Sequence, residues 1–216
     1  MKNIKRDSEI LTLSLKLFDQ AFKNNLQRDR EIQQGIEGER KHAKEVLRWV
    51  KKLDKNPSLQ LKIAALFHDI DRVITPGVGS GFKGSRKSEA YLLHKKAHAK
   101  RSAEYITKKL SKMQIDPKMV DRIKFLIKHH DDTIKEIEKF KDKELEILVA
   151  ADSFSWFTTT GLAIYGAEGE KRAKDKLKFM INKLPKFAKR ILRTLPIKNK
   201  NIDRLKNKAL GELGIT

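Results

Sequence analysis

The sequence contains no cysteine, which excludes a disulfide framework, a thiolate zinc site and a cysteine nucleophile. Long hydrophobic runs are missing as well. The longest uninterrupted apolar stretches, such as Ile63–Phe67, are five residues, whereas a membrane-spanning helix needs about 20. The opening segment MKNIKRDSEI lacks the apolar core of a signal peptide, so a cytoplasmic protein with no membrane partner is expected. Acidic residues are few beside basic ones, 28 against 49, which leaves +21 at pH 7. The excess is uneven: Lys171–Thr216 holds 15 Lys/Arg against 3 Asp/Glu and so carries +12 of it. Such a segment suits a polyanionic partner, nucleic acid or nucleotide, or else a solvated helical face. Aromatic residues that stack on bases are sparse there, with only Phe179 and Phe187.

Strand signals are scarce, and helical periodicity runs through nearly the whole of the 216 residues. Ile10, Leu13, Leu17 and Phe18 mark a first stripe. The polar stretch from Gln27 to Glu39, with Gly35 and Gly38, reads as a connection, and a second helix is expected from about Glu39 to Leu53. Pro57 suits the first turn of a third helix that buries Leu61, Ile63, Ala64, Leu66 and Phe67. Gly77, Gly79, Gly81 and Gly84 make the stretch between Thr75 and Ser88 a long loop. Helical patterning returns from Glu89, again from Asp116-Pro117, and over Leu145–Trp156; the basic remainder is broken at Pro185 and Pro196. The fold class is therefore all-α. Three parts are expected: an N-terminal helix and connection over 1–38, a core over 39–160, and basic C-terminal helices packing on it over 161–216. In the last part the apolar positions recur at helical spacing and should face the core, with its lysines toward solvent or a polyanion; it holds no histidine, so no ligand is expected there.

All six histidines lie outside that basic third: His42, His68, His94, His98, His129 and His130. A single histidine on a half-apolar helix is ordinarily a structural residue. The combination with aspartates is different, because imidazole and carboxylate are the ligands that Mn, Fe, Ni, Co and Zn accept. His68 and Asp69 follow directly on an apolar run, where two unpaired polar side chains would cost several kcal/mol. Asp152 stands in the middle of the Leu145–Phe157 stretch, a run otherwise suited to burial, and needs a cationic or hydrogen-bonding partner. His94 and His98 share a helical face, and the small neighbours Ala97, Ser102 and Ala103 favour His98. His129 and His130 point about 100° apart on a helix, which leaves open whether one or both turn inward.

The order His42, His68-Asp69, His98, His129-His130, Asp152 resembles the HD-domain superfamily of metal-dependent phosphohydrolases, in its two-metal form, over Glu39–Phe157. E39-RKHAKEV-46 is similar to the first motif, A64-ALFHDIDR-72 to the His-Asp motif, and K96-AHAKRSAEYI-106 to the intervening histidine helix. I123-KFLIKHHDD-132 resembles a paired-histidine motif, to whose apolar spacing His129 fits better, and L148-VAADSFSWF-157 the closing Ala-Asp motif. No Gly-Tyr-Pro follows the paired histidines, which disfavours the cyclic-di-GMP phosphodiesterases. The acidic pair of the guanosine-tetraphosphate hydrolases is replaced by Ile70-Asp71-Arg72.

The resemblance implies a helical bundle and a hydrolase of phosphate esters or anhydrides, acting through hydroxide activated by two divalent transition-metal ions. It implies Asp69 as the bridging ligand, His42, His68 and Asp152 on the first ion, and His98 with His129 or His130 on the second. Arg72 stands where such enzymes carry a basic residue toward phosphate. Lys100 and Arg101, and Lys83 and Arg86 in the loop, are further candidates for phosphate contact. The expected substrate is a phosphorylated small molecule, a nucleotide foremost. A nuclease or RNA-associated protein that uses the basic third, and a non-catalytic binding module with structural histidines, are the competing readings.

Overall fold

Local side chains start most of the helices. Ser58 Oγ accepts the Leu61 amide at 3.1 Å and opens a helix over Leu59–Phe67, while Ser88 Oγ accepts from Tyr91 at 3.2 Å and opens one over Glu89–Ser111. Asp116 caps Pro117–His129 with proline in the first turn, and Asp142 caps Lys143–Thr158. The computed structural model describes residues 7–25, 30–75 and 88–215, with side chains of 30–32, 160, 162 and 163 left aside. In chain order the helices are α1 (Asp7–Asn24), α2 (Arg30–Leu53), α3 (Leu59–Phe67), α4 (Asp71–Ile74), α5 (Glu89–Ser111) and α6 (Pro117–His129). There follow α7 (Ile134–Phe140), α8 (Lys143–Thr158), α9 (Thr160–Lys183), α10 (Lys186–Thr194) and α11 (Lys200–Glu212). The described residues contain no strand, so the protein is all-α.

α8 is the centre. It is buried on all sides from Ile147 to Phe157, and α2, α3, α6, α7 and α9 pack around it. Ala150 and Ala151 allow the close approach that a small-residue surface permits. Phe154 stacks near Trp49 of α2, with ring centroids 5.0 Å apart, and Phe18 of α1 meets Phe67 of α3 edge to face at 5.7 Å. α11 packs on α9, which carries the basic third onto the core. Leu177, Met180, Ile181, Leu184 and Leu192 are buried there, whereas Ile191 is exposed. Gly169 interrupts α9 with φ 81°, a backbone state open chiefly to glycine. No helix among the described residues is long and apolar enough to cross a membrane.

Several expectations need correction. α2 begins at Arg30 rather than near Glu39, so residues 30–38 are helix instead of connection. The apolar stripe extends back to buried Ile36, Gly35 and Gly38 have open space where a Cβ would stand, and Arg40 pairs with Asp19 of α1 at 2.6 Å. Tertiary contact thus offsets the roughly 1 kcal/mol that each glycine costs a helix. Pro57 stands just before the cap of α3 instead of inside its first turn, because Ser58 takes the capping role. α7, unforeseen, is short but opened by a capping box between Thr133 and Glu136. The loop expected between Thr75 and Ser88 lies outside the described residues from 76 to 87, and Lys83 and Arg86 with it.

Candidate metal centre

Five helices deliver polar side chains to one buried place. α3 ends at Phe67, and the chain turns through His68 and Asp69 before α4 starts at Asp71. His68 is fully buried, and its Nδ1–H donates to Ala65 O at 2.9 Å. His130, at the C-terminal end of α6, does the same to Ile127 O at 2.6 Å. His42 of α2 places Nδ1 2.7 Å from Ser155 Oγ; that hydroxyl donates to Asp152 O at 3.1 Å and so accepts from the ring. Those partners assign the tautomers and leave each Nε2 with a free lone pair, the arrangement metal-binding histidines use.

The lone pairs converge on two carboxylates. His42 Nε2 lies 3.2 Å from His68 Nε2, 3.3 Å from Asp152 Oδ1 and 3.8 Å from Asp69 Oδ2. His68 Nε2 is 3.8 Å from both Asp69 Oδ2 and Asp152 Oδ1. On the other oxygen of Asp69, His98 Nε2 stands at 2.6 Å and His130 Nε2 at 3.3 Å. The result is two buried groups that could each hold a metal ion, His42–His68–Asp69 and Asp69–His98–His130, with one shared carboxylate.

The electrostatics call for positive charge here. Burial disfavours the charged form of His98, yet the adjacent Asp69 carboxylate outweighs it and raises the ring to about 9. His42 is raised too, with Asp152 overcoming burial. His68, the most enclosed, is pushed down to about 4 by burial and stays neutral. Nitrogen lone pairs and carboxylate oxygens that face each other at 3–4 Å in a dry site repel unless a proton or cation lies between them. A divalent ion with nitrogen and oxygen ligands fits that donor set.

The surroundings hold these groups in place. Asp71 grips Arg101 with both oxygens, at 2.8 and 2.7 Å, accepts from Thr75 Oγ1 at 2.8 Å and lies 3.4 Å from His98 Nδ1. Arg101 therefore orients His98 through Asp71, and its fork is already engaged on a carboxylate. Arg72 Nη2 contacts Asp69 Oδ2 at 3.1 Å, and its side chain is 39% exposed, at the mouth. Lys100 points outward on the exposed face of α5 toward Glu104 and is not brought to the centre. His129 also turns away, bonded to Asp132 at 2.6 Å and set against Phe125 and Phe140, while His94 is half-buried one turn before His98 and belongs to neither group.

A further set escaped the sequence reading. Lys183 of α9, expected to face solvent, is buried and donates to Asp152 Oδ2 at 2.9 Å and Asp131 Oδ1 at 2.7 Å; Lys95 reaches the same Asp131 oxygen at 2.7 Å. The basic third therefore enters the site. Its signal is faint: Lys183 lies between the buried Ile181 and Leu184, at the same helical face as Met180. Asp131 and Asp71 each adjoin a proposed ligand motif, and Ser155 stands one turn beyond Asp152.

His130→Ala should lose the metal of the His98 group, and Asp71→Asn should weaken it by about 10–100-fold. His129→Ala should keep the parent's metal content. Elemental analysis after metal loading and dialysis checks all three, and equal losses in the two histidine variants would contradict the geometry.

Fold and centre define an all-helical protein with a buried pair of His/Asp groups around one shared aspartate. The chain belongs to the family described as domain of unknown function (DUF4202), which matches residues 12–203 and so includes every residue of the centre. No curated protein and no solved structure matches it.

Proposed function

We propose that the protein is a metal-dependent phosphohydrolase or phosphodiesterase of the HD type, acting on a phosphorylated small molecule, a nucleotide foremost. The observation that carries this reading is Asp69, whose two oxygens face two separate histidine pairs across one carboxylate. In this reading His42, His68 and Asp152 hold a first ion, His98 and His130 a second, and Asp69 bridges them. Two divalent cations so held supply a nucleophile from water near neutral pH and positive charge for a phosphoryl group. Of the basic candidates, Arg72 is the one positioned to meet a non-bridging phosphoryl oxygen: it touches Asp69 and opens to solvent. Asp71, Arg101 and Lys183 keep the ligands oriented while the helices around α8 exclude bulk water.

The test is a screen of protein loaded separately with Mn, Fe, Ni, Co and Zn against phosphate esters, nucleotides, cyclic dinucleotides, pyrophosphate and short RNA. Turnover should vanish with chelator and return with metal. Protein that retains no metal and turns over nothing would favour a non-catalytic module instead. Arg72→Ala should keep its metal yet lose about 10–100-fold in kcat/KM, the worth of a charged hydrogen bond of about 1.5–3 kcal/mol. Metal loss in that variant, or unchanged kinetics, would remove Arg72 from the phosphate contact.

A nuclease is the second reading, favoured by the exposed basic side chains Lys186, Arg190 and Arg193 of α10 with Lys198 and Lys200 beyond it. Turnover of RNA that falls steeply with salt, beside weak turnover of small esters, would select it.

A further inference from the structure

Lys176 on α9 is a half-buried lysine with no carboxylate partner among the described residues. Its ammonium lies 4.8 Å from the Phe179 ring centroid, and that of Lys95 lies 5.0 Å from the same centroid, so the two are within about 10 Å of each other. Tyr91 meets the Phe179 ring edge to face at 6.3 Å, which helps hold it between the helices. Lys95 connects this place to the metal centre: it shares Asp131 with Lys183, and Lys183 reaches Asp152. Burial first, then the positive charges of Lys95 and Arg72, lower Lys176 to about 7. Lys176 is crowded by cations and, although the Asp131 carboxylate favours its charge, has no ion pair of its own among the described residues; it lies beside a centre suited to phosphate.

We propose that Lys176, on the Phe179 ring beside the Asp131-paired Lys95, forms a second anion subsite that takes a further phosphate of the substrate whose first phosphate meets the Asp69 centre. The proposal rests on the phosphohydrolase reading and narrows its substrate to compounds with two phosphates, either adjacent as in an anhydride or separated as in a bisphosphate ester. Lysine serves as a point charge for phosphate without demanding one geometry, so either spacing is chemically acceptable. It also assigns a phosphate-anchoring role to Lys176 of α9 in place of Arg101, which is tied to Asp71, and Lys100, which faces outward.

Titration calorimetry on the manganese-loaded full chain tests this with inorganic phosphate, methylenediphosphonate and propane-1,3-diphosphonate at fixed ionic strength. Lys176→Met should keep the parent's metal content and phosphate affinity but bind one diphosphonate about 10–100-fold more weakly, while Lys176→Arg should retain most of that affinity. Loss on the methylene compound indicates an anhydride-like spacing; loss on the propane compound indicates separated phosphates. If Lys176→Met weakens phosphate and both diphosphonates equally, or weakens none, the subsite is wrong while the metal-centre reading stands. If the metal-loaded parent binds none of the three, the phosphohydrolase reading falls and takes the subsite with it.

Discussion

Asp69→Ala should abolish both metal binding and turnover while the chain stays helical. One oxygen of Asp69 faces His98 and His130 and the other faces His42 and His68, so its loss takes a donor from both groups at once. Its removal strands no charge in the core, because Arg72 is 39% exposed and also reaches Glu39, while buried His98 keeps Asp71 at 3.4 Å. Metal at 100 times its dissociation constant should stabilise the parent by about 2.7 kcal/mol. For a chain of this size that corresponds to a rise in Tm of about 5–11 °C. Asp69→Ala should show none of that rise, no retained metal by elemental analysis, and an unchanged far-ultraviolet dichroism spectrum. Full metal content in the variant would mean that the centre lies elsewhere.

Lys183→Met should be the most destabilising change in the basic third. The ammonium is 6% exposed and contacts two buried carboxylates, Asp131 and Asp152, which it holds well below the ordinary carboxylate range against the penalty of burial. Breaking a buried pair by removing one partner costs about 3–5 kcal/mol, since the remaining charge stays in a dry site. The metal-free variant should therefore melt roughly 6–20 °C below the parent. Lys95 still neutralises Asp131, so the penalty should fall mainly on Asp152. Lys183→Met combined with Asp152→Asn should recover much of the lost Tm, although it will not restore metal binding. A single variant with the parent's Tm would show that Lys183 is not an essential counter-charge. Where the sequence led to lysines facing outward, α9 thus supplies a charge on which a candidate ligand depends.

Much of this molecule was legible in one dimension because helices are written locally. Asp116-Pro117 starts α6 through a side-chain cap and a fixed proline φ, Pro185 and Pro196 separate α9, α10 and α11, and the apolar run after Leu145 demands a helix buried on every side. The candidate ligands His68, Asp69 and Asp152 were legible for a related reason: each stands in or beside an apolar run where an unsatisfied polar group is costly, whereas His42, among charged neighbours, was found only through the resemblance of its motif. Choices that depend on where a helix points were not legible. His129 and His130 differ by a rotation of about 100° on α6, and only the packing of α6 on α3 and α5 turns His130 inward and leaves His129 with Asp132 and Phe140. The same holds for the basic residues, since the charge of Lys100, Arg101 and Lys183 is plain in the sequence but its direction is not. Tertiary packing turns Lys100 outward, ties Arg101 to Asp71 and buries Lys183 between two aspartates. Residue type and helical period are properties of neighbouring positions, and they determined the all-α class and most of the ligand candidates. Which side chains share a buried volume depends on helix rotation and contact between distant segments, and the tertiary structure alone decided that.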